Sequence, residues 1–473
     1  MERQSDIEGK RPGAGKGKAR ASRRSIDMLH GGVALKLLLF ALPLAVIGVL
    51  QQLFNAADVA VLGRYAGKYA MASVGANTPV IGLLVNLLLG LALGSNVMIA
   101  RHIGSGRRQE VHDAVQTSVV LALATGFAIM AVGEALADPL LRLLGTPPEV
   151  MPDALAYLRL FLLGLPGISL YNFEAAILRS RGDTRSALWA LLVSSALNIA
   201  LDVGFVSGLG LGAGAVGFAT AVSYTAAGLI LLRGLVRTDD LLRVDLRRLF
   251  VSRPELRGIV RIGLPAGIQG MVFSLSNLVV QSALNSLGPE TIAASAAAFT
   301  IEINLYCVQN AIGQGVTTFV SQNHGAGNIP RCFHVGRVGM LLEMLVVTPL
   351  AALVILFGRD ILRLFNPEEA VVAIGFVRIL WIVLPTWVSC GMEIISGVLR
   401  GFGHSMPPAM ASLVCICGVR LLWVWGVFPS WRSFECLMAV YPLSWIVTLA
   451  VLAWIYVKFR REFLREHGAR RPL

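Results

Sequence analysis

Ionisable residues stand inside long apolar stretches of this 473-residue chain, the clearest being Asp58, Glu174, Asp202, Glu302, Glu343, Glu393 and Arg420. A charged side chain in hydrocarbon costs at least ~2.5 kcal/mol on insertion scales, so each one needs a partner or a task. Gln51, Phe54 and Asn55 precede Asp58 by seven, four and three residues, which puts all four on one helix face. Asn198 and Asp202 are four apart on a later stretch, and Thr220 follows on the next. Two carboxylates, an amide and a hydroxyl are hard oxygen ligands for a small cation such as Na+. Desolvated and close together, the same carboxylates would instead hold a proton. Asp58, Asn198, Asp202 and Thr220 are therefore the candidate cation-coupling set. The plainer reading has the two acids hydrogen-bonding to neighbouring helices.

The second half is polar in another way. Asn277, Gln281 and Asn285 recur every four residues, and Glu302, Tyr306, Gln309 and Asn310 form a second stripe. With Gln51, Asn55, Glu393 and Arg420, these residues are expected to line a cavity for cargo. Any single amide serves equally well as glue between helices. Glu302 suits glue less, because an unpaired carboxylate makes poor glue, and it is expected to attract cationic cargo. Glu393 and Arg420 either pair with each other or touch cargo. Glu174 and Glu343, near span ends, read as structural.

The elements that carry these residues are membrane helices. Hydrophobic residues make up 55% of the chain, charged ones 15%, and the mean hydropathy is +0.69; a soluble domain carries roughly 25% charge. Twelve apolar runs are expected at 33–62, 73–100, 114–136, 154–178, 186–206, 211–233, 258–285, 291–320, 335–357, 371–399, 407–428 and 436–459. Each reaches the ~20 residues that a membrane-crossing helix needs. Of the 41 Lys and Arg, 32 fall in or near the tails and the even-to-odd loops, eight in or near the odd-to-even loops, and Arg420 inside a span. The positive-inside rule then puts both termini in the cytoplasm. The formal net charge of +13 is a topology signal and not a nucleic-acid footprint. Residues 1–32 read as a disordered basic tail, 234–257 as a cytoplasmic linker and 460–473 as a second tail. The six cysteines form no CxxC pair. No Walker A sequence, metal-spaced histidines or nucleophile–base pair appears, so no enzyme, cofactor or resident metal is expected.

The two halves repeat. Pro43 matches Pro265, Asn55 matches Asn277, "HIGSG" matches "NHGAG", and "LRSRGDT" matches "LRGFGHS", all at an offset of 221 or 222. Six spans separate the copies, so both insert the same way up. The expected fold is all-α and integral to the membrane: twelve helices in two six-helix lobes, 33–233 and 258–459, related by a parallel pseudo-two-fold. Repeats of this kind commonly mark transporters; a channel would not need one. The same offsets place Val280, Val419 and Trp423 opposite Asp58, Asn198 and Asp202, which favours a single ion site in the first half.

From about residue 33 to 460 the sequence resembles the multidrug and toxic compound extrusion (MATE) family, in its bacterial sodium- or proton-driven branch. The likeness rests on "QQLFNAADVAVLGRYAG", "LRSRGDTRSALWALLVSSALNIALDVGFV", "GAVGFATAVS", "GLPAGIQGMVFSLSNLVVQSALNSLG", "FVSQNHGAG" and "GVLRGFGHS". It implies two lobes around a cleft, and export of amphipathic, mostly cationic organic compounds by antiport with Na+ or H+. It also implies a first-lobe cation site that falls here on Asp58, Asn198, Asp202 and Thr220. Phe54 stands where some relatives have Tyr. Phe273 and Ser389 stand where one branch has acids, with Glu393 one turn on. The rival readings are a lipid-linked oligosaccharide flippase, which would need a more basic cavity, and an exporter of a native metabolite. The chain is expected to be a monomer in the plasma (inner) membrane, its partners being cargo, coupling cation and lipid.

The charge asymmetry makes a direct prediction. In a variant freed of the six native cysteines, Ser25→Cys should resist a membrane-impermeant maleimide in intact cells and react once the cells are permeabilised. Labelling from outside would overturn the twelve-span orientation.

Overall fold

The computed structural model describes residues 25–238 and 240–468. Residues 1–24 of the basic tail and 469–473 of the C-terminal tail lie outside them. Among the described residues every regular element is helical. The first lobe contains α1 (Val33–Tyr65), α2 (Lys68–Gly104), α3 (Arg108–Leu143), α4 (Met151–Leu162), α5 (Leu165–Ser180), α6 (Arg185–Asp202) and α7 (Ala213–Arg237). The second contains α8 (Arg253–Asn285), α9 (Pro289–Gly325), α10 (Ile329–Phe365), α11 (Glu369–Val383), α12 (Thr386–Gly401), α13 (Met406–Ala411), α14 (Val419–Leu422) and α15 (Phe434–Gly468). Ten spans are long and apolar enough to cross a membrane, and the bent pairs α4–α5 and α11–α12 bring the number to twelve.

The repeat extends into backbone detail. Five helices start at Lys68, Arg108, Leu165, Arg185 and Ala213, and their counterparts start at Pro289, Ile329, Thr386, Met406 and Phe434, each 221 residues later. The two bends, of 48° and 42°, fall at the same repeat position. Pro166 sits in the first turn of α5 and Pro385 caps α12, and a proline that cannot donate its backbone hydrogen bond is the usual cause of such a bend. Asp202 runs into a π-helix at Val203–Gly208, and the matching stretch of the second lobe is the π-helix Trp423–Val427.

The first helix of each lobe begins against the other lobe. Leu37, Phe40 and Leu44 of α1 pack with Val316 and Phe319 of α9 and with Ile394 and Val398 of α12. Further along, Leu62 of α1 joins Ala70, Val74, Tyr157 and Val216 of its own lobe. The mirror case is α8, whose Gly263 and Gly267 press on Gly90 of α2. Its Val280 and Leu284 then join Val424, Phe428 and Leu437 of the second lobe.

The lobes close on each other at the end that carries both termini. A Cβ on Gly104 would lie 1.9 Å from the Gln322 carbonyl oxygen, and one on Gly325 would lie 1.9 Å from that of Arg101. Thr318 Oγ1 bonds Asn96 Oδ1 at 2.9 Å, and Gln322 Nε2 donates to the Ser180 carbonyl at 2.6 Å. His102 Nε2 lies 3.0 Å from Glu255 Oε2. Residues 25–32, expected to belong to a disordered tail, take part in this closure. Met28 is fully buried, Asn323 donates to its carbonyl, and Arg331 donates to the carbonyls of Met28, His30 and Gly31. The linker is shorter than the expected 234–257, since α7 runs to Arg237 and α8 starts at Arg253. Leu242 and Val244 of this loop are buried in the first lobe, and Arg181 pairs with Asp240.

The glycine crossing is testable by thermal unfolding in detergent. Gly104→Ala drives a Cβ into backbone that cannot swing aside, so it should destabilise by roughly 1–3 kcal/mol. Gly75→Ala, where nothing lies within 4 Å, should be neutral or slightly stabilising. Equal midpoints for the two variants would show that the crossing is not tight.

Candidate functional site

The first-lobe set converges. Asp58 stands on the half of α1 that has entered the first lobe, Asn198 and Asp202 on the last turns of α6, and Thr220 on α7. Asp58, Asn198 and Asp202 are each no more than 5% exposed. Asp58 faces Asp202 and Thr220, with the Tyr157 phenol beside both acids. Asp58 Oδ1, both Asp202 oxygens and Thr220 Oγ1 are nevertheless buried without a hydrogen-bond partner, as is Asn198 Nδ2. Buried polar atoms normally find partners, so a cluster of orphans marks a place that something else completes. Four oxygens around two adjacent carboxylates suit a small cation or a shared proton, because two neighbouring carboxylates cannot both stay bare and charged. The π-helix that starts directly after Asp202 widens the backbone there, as π-turns at functional sites often do.

The remaining α1 residues divide. Gln51 Nε2 donates to the Tyr224 hydroxyl at 3.3 Å, while Asn55 is exposed. Gln281 and Asn285 of α8 are also exposed and bond each other at 2.9 Å; Tyr306 of α9 is 45% exposed. Asn310 is half-buried and takes a hydrogen bond from Gln314. Asn55, Gln281 and Asn285 lie on the halves of α1 and α8 away from the termini, and Tyr306 and Asn310 near the middle of α9.

The second lobe corrects two expectations. Glu302 is not an unpaired acid lining the cavity. It makes two hydrogen bonds of 3.0 Å with Arg378, whose Nη1 also reaches Ser295, and Glu302 and Arg378 are both buried. Arg378 was the missed residue. It lies within the expected span 371–399, close to the preceding loop. The second correction concerns Glu393 and Arg420, which do not pair with each other. Glu393 packs against Gly313 and lies 3.6 Å from Arg400, two turns along its own helix. Arg420 is directed instead at α8 and α15, where Nη1 donates to Asn277 Oδ1 at 2.6 Å. Gln309 bonds Thr386 and Ser389, tying α9 to the bend of the tenth span, so glue is its role. Glu343 is fully buried beside Cys390 and Glu393, and both of its oxygens lack partners. Glu174 is likewise buried with two unpartnered oxygens.

Comparison with known proteins agrees with this architecture. The MatE family pattern matches residues 43–203 and again 265–425, one copy per lobe. A protein of Bacillus subtilis (strain 168) described as probable multidrug resistance protein YoeA is 28% identical over 428 residues, covering 88% of this chain and 92% of its own. The probable multidrug resistance protein NorM of Thermotoga maritima is 30% identical over 395 residues, covering 82% and 84%. A crystal structure titled as MATE in the bent conformation superimposes with a TM-score of 0.83 at 23% identity, covering 94% of this chain and 99% of that one. The chain belongs to the MatE family, which comprises multi-pass membrane transporters and not enzymes.

The Glu302–Arg378 pair predicts how the lobe fails. Removing one partner leaves a buried charge uncompensated, which costs about 3–5 kcal/mol. Glu302→Gln should therefore lower the thermal midpoint sharply in detergent. The double variant Glu302→Leu/Arg378→Met should recover most of the loss. A Glu302→Gln protein that melts with the wild type would show that the pair is not a structural ion pair.

Proposed function

We propose that this protein exports amphipathic organic compounds, mostly cationic, in exchange for Na+ or H+ entering through the Asp58, Asn198, Asp202 and Thr220 site. It would do so as a monomer in the plasma (inner) membrane with both termini cytoplasmic. The observation that carries this reading is the group of buried, unpartnered oxygens on three helices of the first lobe. Gln51, Asn55, Asn277, Gln281, Tyr306 and Asn310 would line the cargo path.

The mechanism follows from where α1 is anchored. A cation or proton at Asp58 and Asp202 relieves their repulsion and draws α1 toward α6 and α7. The other half of α1 is embedded in the second-lobe core. A pull on Asp58 is therefore felt across the lobe interface, and occupancy of the ion site biases which end of the cleft is closed. One elementary charge moving inward across 100 mV supplies ~2.3 kcal/mol. The MatE-family relatives named as multidrug resistance proteins support the cargo class. The flippase reading is weaker, because Arg378 and Arg400 are already held by Glu302 and Glu393. One observation keeps the metabolite reading in view: Arg420 has no acidic partner.

Proteoliposomes with Na+ and pH gradients imposed separately test the coupling. One of the two gradients should drive drug movement. Asp202→Asn, inserted and folded at wild-type levels, should reduce it to the protein-free background. Coupled transport that persists in Asp202→Asn would remove this site from the mechanism.

A further inference from the structure

We propose that Arg420 anchors an anion-binding site in the second lobe, taking a carboxylate or phosphate group of the exported compound. The proposal rests on the export reading above and specifies part of its cargo. Arg420 heads the largest fully buried side chains among the described residues, at 0% exposure. Its Nη1 is bonded to Asn277, while Nε and Nη2 are buried without a hydrogen-bond partner. Rings of Tyr441 and Phe273 lie 4.5 and 5.3 Å from the guanidinium carbon. They soften the burial of the charge. The titratable groups that act on it are Tyr441, Cys417 and Arg378, with no carboxylate among them.

The contrast inside the lobe is the core of the argument. Arg378 is neutralised by Glu302, and Arg400 faces Glu393. Arg420 alone of these three is left as a net positive charge. A guanidinium cannot shed its proton, and an uncompensated buried ion is strongly unfavourable. Among the described residues no carboxylate pairs with Arg420, and the proposed compensation comes from outside the chain.

The free atoms also define the shape of the ligand. Nε and Nη2 share one edge of the guanidinium plane, the two-pronged edge that matches a carboxylate or two phosphate oxygens. The polar row of α8 leads toward this residue. Asn277, bonded to Arg420, is half-buried and begins a row that continues to the exposed Gln281 and Asn285. The short helix α14 that bears Arg420 is flanked on both sides by π-helices, Ser412–Gly418 and Trp423–Val427. Such turns are less tightly wound and often coincide with functional sites.

The test uses purified protein without any gradient, so a failure of ion coupling would not affect it. Two fluorescent pairs differ only in the anion: riboflavin 5′-phosphate against riboflavin, and pyrenebutyrate against its methyl ester. In detergent the wild type should bind the anionic member of at least one pair roughly ten-fold tighter or more. Asn277→Asp places an internal carboxylate against the guanidinium. It should fold with a midpoint no lower than the wild type and bring the affinity ratio close to one; Arg420→Gln should do the same to the ratio. No preference in the wild type, or a preference that survives both substitutions, would overturn the proposal. Nanodiscs separate cargo from lipid as the source of the anion. If phosphatidylglycerol abolishes the preference and phosphatidylcholine does not, the site belongs to a lipid headgroup and the cargo assignment fails.

Discussion

A charge placed in hydrocarbon has to be compensated where it stands, and this constraint organises the whole interior. Glu302 and Arg378 meet across helices separated by 76 residues of sequence. Glu393 has Arg400, and Glu255 has His102 at the closed end. Each pair converts two costly groups into one tolerable unit and ties helices together in doing so. The groups left over are then informative. Among the described residues they include, in the first lobe, oxygens of Asp58, Asp202, Thr220 and Glu174 and, in the second, both oxygens of Glu343 and two nitrogens of Arg420. A transporter needs such incomplete places, because a site already satisfied by the protein has nothing to offer an ion or a cargo.

The same constraint bears on the lobe interface. Polar contacts between membrane helices average only about 0.6 kcal/mol each. The closed end is held by few of them, among them Thr318 to Asn96 and Gln322 to Ser180. Their sum is comparable to the ~2.3 kcal/mol carried by one charge moving across 100 mV. Close glycine contacts set the geometry of the crossing without adding polar bonds that would lock it. Gly104 and Gly325, equivalent in the repeat, let the two helices touch at their backbones.

Much of the fold was legible in the sequence because hydropathy and the repeat are redundant signals. The twelve spans, the 221-residue offset and the two-lobe plan all reappear in the structure. The first-lobe cluster was legible too: Asn198 and Asp202 declare a shared face by their spacing, and an acid in an apolar run demands a counterpart. Pairing across long separations was not legible. Nothing in the run around Arg378 names Glu302, and a cation near a span end looks like a loop residue until the helix is placed. The order of residues 25–32 escaped for a related reason. That segment is polar overall, and its attachment depends on one buried side chain, Met28, and on carbonyls that Asn323 and Arg331 happen to reach.

The repeat also separates what duplication preserves from what it releases. The shared features belong to the backbone: the proline bends, the π-helices after residues 202 and 422, and the glycine crossing. These set the paths of the helices in both copies. The acids of the first-lobe cluster are not shared, since Asp202 corresponds to Trp423 and Asp58 to Val280. Symmetric mechanics with asymmetric chemistry allows one lobe to sense the ion while the other holds cargo. Under that division ion and cargo do not compete for the same ligand atoms. Under the proposed mechanism they would communicate through the helices that both lobes grip: α1, with Asp58 in the first lobe and its start in the second-lobe core, and its repeat partner α8.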